Sequence, residues 1–500
     1  MRTLTALFLF TACLLFSEPL FAQFAGGTGT ADDPFQVETL EQLQEIQNHI
    51  DSHFILINDI DASETSNWND GEGFIPIGNP DTPFTGTFEG NGHEITGFRI
   101  FRGEEIKLPR DYLGLFGYLE GAEIKNLTMS KLRISAGLNT MYVGGIAGYT
   151  DHNSIISNIS IEGSVSPLIL SGTATKRYFG GIAGINTGMI NNSRFIGKTG
   201  TTVGHYFGGI AGENNGLIEQ SFTLADVQAG GYGGGIAGSN TGTIRTSFSF
   251  SPERIHGAFA IGGFVGYNSG TILNSFSHSR VTGGTDGSIG GFIARNSGTI
   301  ASSFSTGEVQ QNAVGRGGFA ARNNEGTITG SYWDAERSGM QTGIEQGDSS
   351  GLTGLATSQM AGNNAAQFMG ALDFMTIWQF TDLYPALQWQ GDALIYNPDI
   401  DIDEEEPEET EPKAIELLQN YPNPFNVTTT IHFMVHESVD NATFTLYNAA
   451  GQKVRTMYDG PLYSAEYQIP IDFISLPSGH YFLRVSSTAN TELIQMTLIK

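Results

Sequence analysis

The chain holds one cysteine in 500 residues, Cys13, and it sits in an apolar N-terminal run. Beyond that run there is no thiol, so neither a disulfide framework nor a cysteine-ligated metal can support the rest. Basic residues are also scarce: 24 Lys and Arg stand against 52 Asp and Glu, a formal net charge of −28. That balance disfavours nucleic acid and anionic membrane surfaces as partners and leaves cations, neutral glycans and proteins open. After residue 23 no stretch is apolar over the ~20 residues that a membrane-spanning helix needs. Helix-length amphipathic periods are nearly missing too, whereas glycine is abundant, at 66 residues. Short apolar runs separated by Gly, Asn and Ser indicate turn-rich β structure.

The N-terminal run, MRTLTALFLFTACLLFSEPLFAQ, places Arg2 before an apolar stretch and Ala22 beside a cleavage point after Gln23. This is the pattern of a secretory signal peptide over 1–23. A lipoprotein box ending at Cys13 fits poorly, because Phe10 is a poor match to it and Leu14, Leu15 and Phe16 prolong the apolar run.

Gly233, Gly235 and Gly238 stand at G-x-G-x-x-G spacing, which in isolation suggests a phosphate-cradling loop. Self-comparison removes that reading. Glycine pairs end at Gly145, Gly181, Gly209, Gly235, Gly263, Gly291 and Gly318, in steps of 36, 28, 26, 28, 28 and 27 residues. From the second pair onward, an asparagine follows five residues later at Asn186, Asn214, Asn240, Asn268, Asn296 and Asn323. An isoleucine (Ile190 to Ile328) and a serine (Ser193 to Ser331) then recur in register, and Phe222, Phe248, Phe276 and Phe304 follow their serines directly. Such a unit cannot bury its own apolar residues, but coils stacked about 4.8 Å apart can. The expected fold is therefore an all-β, parallel, right-handed β-helix, its repeated part a rod about 30 Å long. Asn, Ser and Phe are expected to stack internally, and the recurrent Asn suits both a left-handed corner and an amide ladder.

The unit GG-Ile/Phe-x-G-x-Asn-x-G-x-Ile-x-x-Ser-Phe over 113–335 resembles the GLUG repeat of secreted bacterial β-helix proteins, which include adhesins and some metallopeptidases. Residues 24–112 resemble the opening cap of such proteins, with Thr39 capping a short helix whose Leu40, Leu43, Ile46 and Ile50 form an apolar stripe. Residues 336–396 resemble the segment that closes them, and Trp333, Trp378 and Trp389 are expected to cap the core rather than bind sugar. An acidic, self-repelling linker spans 397–413. Residues 414–500 read as a small immunoglobulin-like β-sandwich.

That last domain, with LLQNYPNPFN, YNAAGQKVRTM, LPSGHYFLRV and a terminal MTLIK, closely resembles the type A C-terminal sorting domain of the type IX secretion system. The resemblance implies Sec export, passage across the outer membrane, the type IX machinery and its sorting peptidase as partners, and an extracellular or surface-attached destination. Carried onto this chain, the sorting signal comprises Tyr421, Pro422, Asn423, Pro424, Gly451, Gly479, Tyr481 and Lys500.

Chemical signatures are weak. His93-Glu94 and His436-Glu437 lack the second histidine of a zinc peptidase, since Gly97 and Asp440 stand in its place. Gly197-Lys198-Thr199 lacks the leading glycine of a P-loop. Calcium is the one candidate cofactor: Asp59, Asp61, Asn69, Asp70 and Glu72 gather hard oxygen ligands in one loop, without EF-hand spacing. The acids Glu213, Glu219, Asp226, Glu253, Asp286 and Glu308 fall at different repeat offsets, which argues against the paired carboxylates of a glycosidase. Arg295 and Arg322 share an offset, so they should stack and could hold a carboxylate or sulfate. The expectation is a non-enzymatic surface rod for adhesion or for glycan or protein binding. A β-helix lyase or hydrolase and a passive spacer are the alternatives. Exposed aromatics and amides on one face would favour binding.

Overall fold

The computed structural model describes residues 24–103, 111–137, 140–167, 176–201, 205–310, 315–390, 414–448, 453–474, 476–487 and 491–500. Residues 1–23, read above as a signal peptide, and all of 397–413, read as the acidic linker, lie outside them. From Phe35 to Leu355 the chain winds into a parallel β-solenoid whose coils stack edge to edge in three sheets. One sheet runs the length of the rod. The second holds the short strands before each glycine pair, from Tyr112–Leu113 to Gly315–Gly317, and the third the strands after it, from Phe116–Leu119 to Ile344–Gly347.

The repeat maps onto the coils residue by residue. Ile190, Ile218, Ile244, Ile272 and Ile300 are fully buried and share one continuous core with Phe179, Phe207, Phe264 and Phe292. The recurrent asparagines form a ladder inside the wall: Asn186, Asn214, Asn240, Asn268 and Asn296 each donate through Nδ2 to Oδ1 of the next, at 2.7 to 2.9 Å. Thr150 Oγ1 donates into one end and Asn323 Nδ2 donates to Asp348 O at the other. The serines form a parallel file, each backbone N–H donating to the serine Oγ of the next coil, as from Ser221 to Ser247 at 3.3 Å.

Two expectations about this wall are corrected. Left-handed backbone falls not on the ladder asparagines but one position before the serine file: on Asn192, Gln220, Thr246, Asn274 and Ser302, each directly before its serine, and on Asn158, before Ile159 in the preceding coil. The glycine pairs are required by close approach rather than by φ, since a Cβ on Gly235 would lie 2.5 Å from Ser249 Cβ and 2.6 Å from Gly263 O. The second correction concerns the phenylalanines. Phe222, Phe248, Phe276 and Phe304 stack face to face at 4.8 to 5.1 Å, but outside the coil, because their serine neighbours take the inward position.

A strap formed by the residues after Leu355 runs back along the rod and covers this outer file. Met360, Met369, Leu372, Trp378, Tyr384 and Leu387 pack on it as a second core. Trp378 is fully buried against Phe276 and Phe304, and Trp389 lies over Phe222 and Phe248. These two tryptophans thus seal the flank of the rod, while Trp333 packs against its main core.

At the opposite end a helix, Leu40–Glu45, closes the first coil. Thr39 caps it reciprocally with Gln42, and Leu40, Leu43 and Ile46 bury into the rod core with Ile50 partly covered. The C-terminal body is a pair of antiparallel sheets. One holds Ile415–Tyr421, Thr428–Val435 and Ala465–Asp472, and the other Lys453–Leu462, Val439–Asn448, Gly479–Ser487 and Thr491–Leu498. Its core, centred on Phe433, Phe444 and Leu483, shares no residue with the rod. It touches the rod at a buried pair, Arg99 to Glu466 at 3.1 Å.

Candidate functional site

Strand alternation sends one residue in two outward, and parallel in-register stacking repeats that residue once per coil. On the sheet before the glycine pairs the outward file is Tyr112, Tyr142, Tyr178, Tyr206 and Tyr232. Their rings stack nearly parallel, with centroids 4.6, 5.5, 5.0 and 5.2 Å apart, and all are half-buried. The neighbouring sheet adds Tyr118 and Tyr149, stacked at 4.6 Å, and further along Tyr267. Phe259 meets Tyr232 edge-on and stays exposed.

Arg295 and Arg322 extend this surface. They are register partners on adjacent strands, in the file that carries Tyr267. Arg295 stacks on Phe259, its guanidinium carbon 4.2 Å from the ring centroid. Among the described residues neither arginine makes an ion pair, and Nε of each is buried without a partner. Their shared offset thus places them in register on adjacent strands. The tyrosine file beside them was missed at the level of sequence, although the signal was there as a tyrosine three residues before the second glycine in four successive units.

Burial keeps these phenols protonated and uncharged. Burial, then the charge of Glu213 and the adjacent phenols, pushes Tyr178 up to about 12. Burial with Tyr149 and Tyr112 nearby does the same for Tyr118, also to about 12. Tyr112, Tyr142 and Tyr206 are raised for the same first reason. Flat, uncharged phenol faces that carry a hydroxyl at the rim can stack on sugar rings or apolar side chains and donate hydrogen bonds.

Other sequence candidates are dispersed. Asp59 accepts from the Glu94 backbone N–H at 3.0 Å and from His93 Nδ1 at 3.1 Å, and these contacts, the first above all, hold its pKa low. Asp61 caps Ser63, Asn69 bonds Gly73 O, and Glu72 is buried. Asp59 and Asp61 are thus engaged in turns of their own, apart from the turn that holds Asn69, Asp70 and Glu72, and among the described residues no group of three or more acids, histidines or cysteines could hold a metal. Three of the six scattered acids pair with local bases: Glu219 takes Arg245 Nε at 2.7 Å, Glu308 faces Arg280 at 3.2 Å and Glu253 faces Lys198 at 3.4 Å.

In the C-terminal body the proposed sorting residues converge. The Asn423–Pro424 bond is cis, and Asn423 Oδ1 accepts from Thr497 N at 2.8 Å. Pro422 O accepts from Thr429 Oγ1. Tyr481 is buried and its hydroxyl donates to Pro477 O, while Lys500 N donates to Ser478 Oγ beside Gly479. Gly451 and the Tyr421 side chain lie outside the described residues.

Comparison with known proteins identifies the C-terminal segment. Residues 419–500 match the family described as "Secretion system C-terminal sorting domain". The chain is 36% identical over 149 residues to "Halomucin" of Haloquadratum walsbyi, which covers 28% of this chain and 2% of that protein. It is 34% identical over 142 residues to "Putative Gly-rich membrane protein" of Evansella cellulosilytica, 28% of this chain and 16% of that one. The chain therefore spans only a small part of the curated relatives it matches. The sorting domain marks a protein exported by the type IX route to the extracellular space or cell surface, with the β-solenoid as its cargo.

Proposed function

We propose that this chain is a non-enzymatic surface rod that adheres to or binds glycans or proteins along its flank, its repeats being of the GLUG type. The observation that carries the reading is the stacked tyrosine file with Arg295 and Arg322 at its far end. A rod that presents one aromatic ring per coil can add many weak contacts along an extended ligand. The unpaired arginines would favour a ligand that carries carboxylate or sulfate groups at that end.

The test is a binding screen of the secreted chain against polysaccharides and matrix proteins, with and without calcium. Saturable binding that falls about tenfold or more in Tyr178→Ala/Tyr206→Ala or in Arg295→Gln/Arg322→Gln, with melting unchanged, is expected. Shortening of a polysaccharide would replace this reading with a catalytic one, and no binding to any member would leave a spacer.

A further inference from the structure

A second surface, on the opposite side of the repeat unit, has different chemistry. The outward file that contains the phenylalanines continues toward the N-terminus as Arg194, Ser160 and Thr128, in register coil by coil. Among the described residues the strap reaches Trp389, over Phe222, and none of it covers these three positions. What remains is an open trough of about 780 Å³, walled at one end by Trp389 and Gln390 and at the other by Glu89.

Its edge is a second amide file. Asn126, Asn158 and Asn192 all hold left-handed backbone at the same corner of successive coils. Asn192 Nδ2 donates to Asn158 Oδ1 at 3.3 Å, Asn158 Nδ2 to Asn126 Oδ1 at 2.6 Å, and Asn126 Nδ2 to both Glu89 oxygens at 3.0 Å. Unlike the ladder inside the wall, this one faces water: Asn158 and Asn192 each keep a donor hydrogen and an acceptor lone pair free for a ligand, and Asn126 keeps an acceptor lone pair. Further along the same corner the strap uses the file itself: Trp389 Nε1 donates to Thr246 O and Ser302 Oγ donates to Ala371 O. The groove therefore already holds a length of chain over half its course.

We propose that the uncovered half binds a neutral polysaccharide lying along the rod axis. Amide donors and acceptors repeat once per coil, about 4.8 Å, a spacing close to the advance of one sugar ring in an extended glycan. Thr128 and Ser160 add hydroxyls to the floor, and the partly exposed Trp389 indole offers a face for a sugar ring at the end wall. Anionic polymers are disfavoured: Arg194 is engaged by Ser160 Oγ at 2.8 Å, Glu89 opposes it in the trough, and the chain is strongly acidic. This inference stands apart from the tyrosine face, and its test separates the two.

The experiment is affinity electrophoresis and calorimetry of the full secreted chain with a soluble β-glucan, a mannan, a xylan and an α-glucan, and with heparin as the anionic arm. Asn126→Gly/Asn158→Gly/Asn192→Gly removes the amides while keeping residues that accept left-handed backbone. At least one neutral polysaccharide is expected to bind, at least tenfold more weakly to this triple variant and unchanged in Tyr178→Ala/Tyr206→Ala. Should the triple variant melt early, Trp389→Phe serves instead, and it is expected to lower the affinity while keeping the strap packed. Binding confined to heparin, binding that follows the tyrosines alone, binding unaltered by the amide or indole changes, or no neutral ligand at all would overturn the proposal.

Discussion

Asn240 and Asn158 are the same residue type in the same fold with opposite exposure, and the difference sets what each substitution costs. Asn240 accepts from Asn214 and donates to Asn268 inside a fully buried wall. Asn240→Ala would strand a donor on one side and an acceptor on the other, each worth about 1–3 kcal/mol. The expected loss is about 2–4 kcal/mol, read by denaturant unfolding, and a change below ~0.5 kcal/mol would mean that the ladder is filled by water. Asn158→Gly, at a solvent corner with positive φ, is expected to stay within ~0.5 kcal/mol in the same assay. The repeat distinguishes the two positions. The ladder residue is asparagine in every unit from Asn186 to Asn323, because its partner must be another amide. The corner holds Asn192, Gln220, Thr246, Asn274 and Ser302 in turn, because it needs only to tolerate left-handed backbone. That variation was legible, but register alone does not say which of two recurring polar residues lies inside.

The same ambiguity governs whole strands. In Ser221-Phe222 and its repeats both residues are capable of burial, and a shift of one residue exchanges the faces. Inward stacking of the phenylalanines was therefore a reasonable expectation, and what overturns it is a strap more than a hundred residues downstream of Phe222, which no local pattern announces. The core isoleucines, the glycine pairs and the capping helix were legible because each depends on near neighbours. The strap also creates a titrating element. His278 lies under it, between the rings of Phe276, Phe304 and Tyr384, bonded through Nδ1 to Thr306 Oγ1. Burial, helped by Arg337, pulls its pKa down to about 3, while Asp334 is held by Tyr384 and Thr357. A depressed histidine is neutral in the folded state, so nothing is lost above its ordinary value near 6.5. As pH falls from there toward 3 the open state takes up the proton and the covered state is disfavoured. The strap is thus expected to loosen in that window, with Trp378 fluorescence shifting to the red and a dye for apolar surface binding to the phenylalanine file. In His278→Gln the transition is expected to move to lower pH, and an identical acid profile would assign the loosening to carboxylates.

For the molecule as a whole, delivery and cargo are built as separate cores. The sorting body packs around Phe433, Phe444, Leu483 and Met496, the rod around its isoleucine and phenylalanine stacks, and no buried residue is common to both. Their buried link, Arg99 with Glu466, binds two charges that each need a partner only while water is excluded. Removing residues 414–500 takes away the acid and the cover together, so Arg99 is returned to water rather than stranded. The truncated rod is accordingly expected to unfold thermally as in the full chain while failing to reach the cell surface, which fractionation and surface labelling would show as retention in the periplasm. Glu466→Ala differs, because it leaves Arg99 covered and unpaired. A buried pair broken on one side costs about 3–5 kcal/mol, and separation of the two bodies caps that loss. The variant should therefore release the sorting body from the rod, seen as faster hydrogen exchange along Arg99–Phe101, with the rod's own melting unchanged. A fall in rod stability in either protein would show that the solenoid depends on its sorting domain for more than transport.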